Sequence, residues 1–217
     1  MKDLVLVGAG RFAREIKALI DIINEQTPTW RFLGFVEEGA KPGQTIEGDK
    51  ILGGLECLMA MDPKPYVTVP IGDPKTRKRL AQTCMEAGLP SATLIHPNVE
   101  IIGDLCTIGE GSILCNGVSL AINTHVGKFC ILNMQCGLGH DVVLNDYVSM
   151  MPHCIVGGDT IIGEGCYFGM RCTLIDKIKI ADGCKFGAGS VVIRNTRKQG
   201  SYFGVPAKMI EAYDAEE

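Results

Sequence analysis

The sequence has no Cys-x-x-Cys pair, no block of basic residues and no run approaching eighteen apolar residues. The first absence weighs against a structural zinc site, which usually draws its ligands from such pairs. The second, together with a net charge of −4, argues against nucleic acid and anionic membrane as partners. The third leaves no candidate for a membrane-spanning helix. The amino terminus opens as an apolar strand, Asp3-Leu4-Val5-Leu6-Val7, and not as a signal peptide. A soluble cytoplasmic protein is the expectation.

What is present is a period. From Ile102 to Val192 a bulky apolar residue recurs at every sixth position, through Ile108, Leu114, Leu120, Val126, Leu132 and onward. Neither an α-helix nor a plain strand has that period, so a repeat architecture is implied. The next position is usually small, as at Gly103, Gly109, Gly127 and Gly139. The fourth position after the anchor is Cys, Ser, Thr, Val or Ile throughout. Turn-prone pairs such as Glu110-Gly111 and Asn116-Gly117 lie between. Each hexad therefore reads as a short strand and a corner, and three of them close a triangular coil of eighteen residues. One such coil cannot bury its own anchors, whereas stacked coils share a continuous core.

The repeat also accounts for the cysteines. Of ten, seven fall on the fourth position: Cys106, Cys130, Cys136, Cys154, Cys166, Cys172 and Cys184. Cys136, Cys154 and Cys172 are eighteen residues apart, so they should stack on adjacent coils about 4.8 Å apart. Reduced thiols filling a narrow core are predicted, and neither disulfides nor a metal.

The first 95 residues differ. Strands are expected at 3–7, 31–37 and 66–71, with helices at about 12–25 and 74–87, which implies a small parallel sheet. Gly8-Ala9-Gly10-Arg11-Phe12-Ala13 fits the dinucleotide fingerprint, in which backbone N–H groups and a helix N-terminus face a diphosphate. The segment is short for a complete NAD-binding fold. A nucleotide-sugar diphosphate, or a glycine turn with no ligand, remain the alternatives. Glu37 and Glu38 end the second strand, where they would accept hydrogen bonds from ribose or base or else lie in a solvated loop. Arg77 would support a phosphate or simply sit on a solvated helix face.

On the coils, a metal site of the γ-carbonic-anhydrase kind would need histidines converging on one edge. With about 20° of turn per residue in an eighteen-residue coil, His125, His140 and His153 do not align within one chain. His140-Asp141 occupies a corner, where the imidazole faces outward beside a carboxylate. That suits a general base, with a surface histidine as the plain alternative.

Several motifs occur in order: Gly8-Ala9-Gly10, Gly34-Phe35-Val36-Glu37-Glu38, Ile71-Gly72-Asp73, His96-Pro97, Leu132-Asn133, Gly139-His140-Asp141 and Gly204-Val205-Pro206-Ala207-Lys208. Together they resemble the hexapeptide-repeat nucleotide-sugar N-acetyltransferases and the related sialic acid O-acetyltransferases. The resemblance implies an α/β, Rossmann-like nucleotide-sugar-binding domain at 1–95, and an all-β left-handed parallel β-helix at 96–217. It also implies a homotrimer with acetyl-CoA between subunits and no metal. His140 would be the general base, Asp141 its partner and Asn133 a supporting residue. Gly158, Met170, Ala188, Ser149 and Lys208 would contact the cofactor, with the Gly158 N–H on the thioester oxygen. Gly8, Gly10, Arg11, Phe12, Glu37, Glu38, Gly53 and Gly72 would hold the nucleotide-activated amino sugar. Two departures from the family pattern stand out. Arg11-Phe12 replaces a common Gly-His in the glycine loop, and Ser149 stands where many members carry a histidine. His125 and His153 have no assigned role. The expected reaction is N-acetylation of an amino sugar. O-acetylation of a sugar hydroxyl, a non-catalytic sugar-nucleotide scaffold and an NAD-dependent enzyme are the alternatives.

Overall fold

The computed structural model describes residues 1–210; the last seven residues of the expected coil segment, 211–217, lie outside it. The amino-terminal sheet has the order β3-β4-β2-β1-β5, with β1 Lys2–Val7, β2 Trp30–Val36, β3 Thr45–Ile46, β4 Asp49–Gly53 and β5 Tyr66–Thr68. β1, β2, β4 and β5 run parallel, and β3 is antiparallel to β4. The β3–β4 hairpin was not foreseen, because it is too short to show a period. Helix α1 spans Arg11–Gln26, α2 Glu56–Met59 and α3 Pro74–Glu86. α1 buries Ala13, Ile16, Leu19 and Ile20 against the sheet, as the i, i+3, i+4 spacing dictates. α3 begins at Pro74 behind Asp73, whose side chain accepts from the Thr76 N–H.

The rest of the chain winds through two-residue strands into a three-faced prism. Strands eighteen residues apart pair in parallel, as with Ile131–Leu132 on Ser149–Met150 and Gly137–Leu138 on Ile155–Val156. Every anchor from Leu114 to Val192 is buried in one core. The first anchor departs from the expected series. Leu120 pairs with Ile101, not with Ile102, and Ile102 is 48% exposed. One extra residue is absorbed next to Gly103, whose φ of +86° is a conformation glycine takes without strain. The true period therefore runs from Ile108.

The fourth hexad position explains itself in the structure. Its side chain points inward, and in several hexads where it is a thiol or hydroxyl it donates to a corner carbonyl fifteen residues on, in the next coil. Ser112 reaches Gly127 O, Cys130 Asn145 O, Cys136 Met151 O, Cys154 Gly169 O, Thr160 Ile175 O and Cys166 Ala181 O, at 2.8–3.2 Å. A small side chain with one donor both fits the narrow prism and satisfies a carbonyl the turn leaves over. Burial pushes the thiols of Cys130 and Cys172 up to about 12, which keeps both protonated and Cys130 a donor. All ten cysteines are free. Ser190 Oγ is the buried side-chain oxygen without a partner among the described residues, because its acceptor would lie at residue 205, where the coils have ended.

Arg77 docks the two parts and corrects both readings of it. It is 1% exposed, so it is neither a phosphate ligand nor a solvated charge. Nε donates to Phe129 O and Nη2 to Tyr147 O, both at 2.8 Å, and Nη1 to Ile71 O at 2.5 Å and Gly72 O at 3.3 Å. The rings of Phe129 and Tyr147, eighteen residues apart, stack with centroids 5.4 Å apart. They join one apolar cluster with Val5, Val7, Val67 and Leu80 of the sheet domain.

Candidate active site

The prism has three corners, each a stack of left-handed residues eighteen apart. One carries Asn123, Asp141, Asp159 and Lys177, with φ between +57° and +59°. At this corner Asp141 N–H donates to Ile122 O at 3.1 Å and Asp159 N–H to His140 O at 2.9 Å, so the backbone of three coils is locked together. His140 projects from it, 57% exposed at its side chain. Its Nδ1 lies 2.9 Å from Asp141 Oδ2 and 4.0 Å from Asp159 Oδ2. Asn123 Nδ2 donates to the other oxygen, Asp141 Oδ1, at 2.6 Å. The hydrogen bonds from Asn123 and then His140 hold the Asp141 carboxyl below its usual range.

An ionised Asp141 takes the Nδ1–H of the ring, which leaves Nε2 as the basic atom. Nε2 lies over Gly158: a Cβ on that glycine would sit 2.5 Å from it. The Gly158 N–H makes no hydrogen bond among the described residues. A proton acceptor and an unused amide donor therefore stand side by side, over a cradle that any side chain would fill. His140, Asp141 and Asp159 also form the one His/Cys/Asp/Glu group with cation spacing among the described residues, all three exposed. Both oxygens of Asp141 are already engaged there, and only one imidazole is present.

The other expected residues lie elsewhere. Met170 and Ala188 belong to a second corner and line an open cavity of about 670 Å³ with Lys75, Met151, Tyr167 and Lys185. Asn133 is on that same corner and is buried, its Oδ1 accepting from Met134 N–H at 2.7 Å. It lines a small cavity of about 190 Å³ with His96 and the apolar side of α1. Within one chain these residues do not meet His140. Lys208 is exposed on the carboxyl-terminal hairpin, bordering a cavity with Arg194.

Ser149 requires a correction. It is fully buried, and its Oγ donates to Gly72 O at 2.7 Å, so it ties the sheet domain to the prism and is not open to a cofactor. Gly72 is engaged through the same carbonyl. A small hydroxyl serves this contact between the two parts of the chain.

Gly8, Glu37, Gly53 and Gly72 gather at the carboxyl ends of β1, β2, β4 and just beyond β5, the edge where open parallel sheets bind ligands. Gly8 has φ +107°. Gly10 caps α1 without any side-chain bond. The N–H of Ala9 between them donates to Glu37 Oε2 at 2.5 Å. Glu38 is held by both terminal nitrogens of Arg79 at 2.7 Å. The Arg11 side chain is exposed without a hydrogen bond or ion pair among the described residues, and Phe12 packs beside Ala9 against the sheet core. A Cβ on Gly53 would lie 2.6 Å from Cys57 Sγ. Asn123 and Asp159 were not singled out from sequence, although their eighteen-residue spacing from Asp141 was there to find them.

Residues 3–84 match the family described as PglD N-terminal domain, and residues 159–194 match the bacterial transferase hexapeptide family (six repeats). GDP-perosamine N-acetyltransferase of Escherichia coli O157:H7 is 31% identical over 148 residues, a match spanning 68% of this chain and 66% of that protein. The chain belongs to the hexapeptide-repeat acyltransferases. WeeI from Acinetobacter baumannii AYE is 27% identical, with a TM-score of 0.87 over 97% of this chain and all of that one. A histidine variant of perosamine N-acetyltransferase from Caulobacter crescentus, solved with CoA and GDP-perosamine, is 24% identical with the same TM-score over 98% of each chain. As in these acyltransferases, the prism is a left-handed β-helix. No described helix is long and apolar enough to cross a membrane.

Proposed function

We propose that this hexapeptide-repeat acyltransferase moves the acetyl group of acetyl-CoA onto the amino group of a nucleotide-linked amino sugar, with His140 as general base. The observation that carries the reading is the pairing of His140 Nε2 with the unengaged N–H of Gly158, above a glycine where no side chain fits. Nε2 takes a proton from the amine as its nitrogen adds to the thioester carbonyl. The Gly158 N–H donates to the oxygen as it gains negative charge, the kind of aimed donor that stabilises such an oxyanion. The carbon–sulfur bond then breaks, and the imidazolium returns its proton to the departing thiolate. Acetyl-CoA and amine thus become amide and free thiol, and no acyl-enzyme is needed. The amino-sugar acceptor follows the named E. coli relative and the glycine-rich edge of the sheet domain.

A homotrimer fits this chemistry. Gly158 and His140 stand on one corner, Met170, Ala188 and Asn133 on another, so a site using both needs two copies. Exposed Ile122, Ile155, Ile175 and Ile193 flank the His140 corner, where a neighbour would cover them. Cytoplasmic location fits ten unpaired thiols. Lys208, beside Arg194, would meet the phosphorylated end of CoA.

Thiol release from acetyl-CoA, measured with GDP-, UDP- and dTDP-amino sugars and with hydroxyl analogues, tests the reading. General base catalysis typically contributes about 10²–10⁴-fold, so His140→Ala should lose that much kcat. An enzyme that released no thiol with any amino sugar, or that kept its turnover without His140, would overturn it.

A further inference from the structure

We propose that Asn123 is a positioning residue for the His140–Asp141 pair; this rests on the acetyltransferase reading above. Asp141 and His140 are both largely solvent-exposed, and exposed ion pairs alone are held weakly and are free to change rotamer. Two carboxylates compete for the ring. Asp141 Oδ2 is 2.9 Å from Nδ1, while Asp159 Oδ2, one coil below, is 4.0 Å away. If the ring turned to Asp159, Nε2 would leave its place over Gly158.

Asn123 decides between the carboxylates. It lies one coil above Asp141 at the same corner position, with the same left-handed backbone, φ +58° for each. Side chains eighteen apart with equal φ leave the corner in the same direction and meet. The Asn123 amide donates to Asp141 Oδ1 at 2.6 Å, on the oxygen the histidine does not use. Both oxygens are then engaged from opposite sides, and the carboxylate plane cannot rotate away from the ring. Asp159 has no such donor among the described residues. The position calls for an amide: an aspartate there would set a second negative charge against Asp141 where a donor now stands. Thr107 Oγ1 lies 2.9 Å from His125 Nδ1 on the adjacent face, and the His125 ring is a nearby group that favours an ionised Asp141.

A double-mutant cycle tests this. Asn123→Gly keeps the left-handed backbone and removes only the amide, so fold and melting temperature should hold. It should lower kcat about ten- to a hundredfold, the scale of a catalytic group displaced by about an ångström, with KM for both substrates within about twofold. Asp141→Ala should lower kcat by more, and adding Asn123→Gly to it should cost nothing further, because the amide acts through Asp141. Asn123→Asp, which keeps the size, should be slower than Asn123→Gly. Additive losses in the double variant, a change in KM at constant kcat, or full activity of Asn123→Gly would each overturn the proposal. Loss of the general-base reading is seen separately, as turnover that survives His140→Ala.

Discussion

Replacing Arg77 with methionine should unlatch the sheet domain from the prism. The guanidinium makes three bonds at 2.5–2.8 Å and a fourth at 3.3 Å, reaching two prism corner carbonyls and the loop after β5. Phe129 O and Tyr147 O have no other donor among the described residues. A hydrogen bond from a charged donor contributes about 1.5–3 kcal/mol net, and an orphaned buried acceptor costs about 1–3 kcal/mol. Against this, methionine removes the desolvation cost of a buried cation, whose burial already brings Arg77 down to about 10. The two orphaned carbonyls dominate, at about 1–3 kcal/mol each, and the relieved desolvation trims this to a net loss of about 2–4 kcal/mol. Trp30, the single tryptophan, sits in β2 and reports the sheet domain, while hydrogen-exchange protection of the coil amides reports the prism. In urea the Trp30 transition of Arg77→Met should move to lower denaturant, ahead of the loss of coil-amide protection, which should shift little. Arg77→Lys should recover only part of the loss, since one compact ammonium cannot fork to carbonyls on separate segments. A Trp30 transition displaced by less than about 1 kcal/mol, or a lysine variant equal to the parent, would refute the reasoning.

Gly158→Ala should fold normally, since its backbone is not in the left-handed region, yet lose kcat by about a hundredfold or more as the Cβ displaces Nε2 and blocks the oxyanion donor. Steady-state thiol release alongside a thermal melt checks both halves. Asp73 caps α3; burial alone would raise its carboxyl, but bonds from Thr76 N–H and Oγ1, with the charges of Lys185 and Arg77, bring it below its ordinary 3.8. A depressed folded value means the stabilisation is complete above pH 3.8 and fades as pH falls through the lower folded value. Asp73→Ala should therefore cost about 1 kcal/mol at neutral pH and distinctly less near pH 3, read from denaturant curves at the two pH values.

Much of this was legible because the repeat is local. A hexad that alternates anchor, small residue and inward donor has only one way to bury its anchors, so coil geometry, cysteine burial and the outward corner of His140-Asp141 followed from spacing. The same spacing contained Asn123 and Asp159, but a polar residue at a corner looks like any turn residue until its neighbour one coil away is seen to share a carboxylate. The misreadings fall where the period stops or where two parts of the chain touch. Ile102 lies at the open end of the prism, where no coil enforces the register. Ser149 and Arg77 look like site residues because polar side chains are expected outside a core. Whether such a group faces solvent or a second domain depends on packing between segments seventy residues apart, which no local pattern encodes.

The sequence by itself determined the β-helix, its reduced cysteine core and the placing of a histidine–carboxylate pair on an edge, because these depend on nearest-neighbour stacking at a constant eighteen-residue interval. Tertiary structure alone decided which polar groups are spoken for. Arg77 and Ser149 spend their donors holding the domains together, Glu37 closes on the glycine loop, and Asn123 selects the carboxylate that orients His140. Those choices are made by distances of about 3 Å between groups far apart in the chain, and hydrogen-bond energy falls away too steeply with distance for composition or period to reveal them.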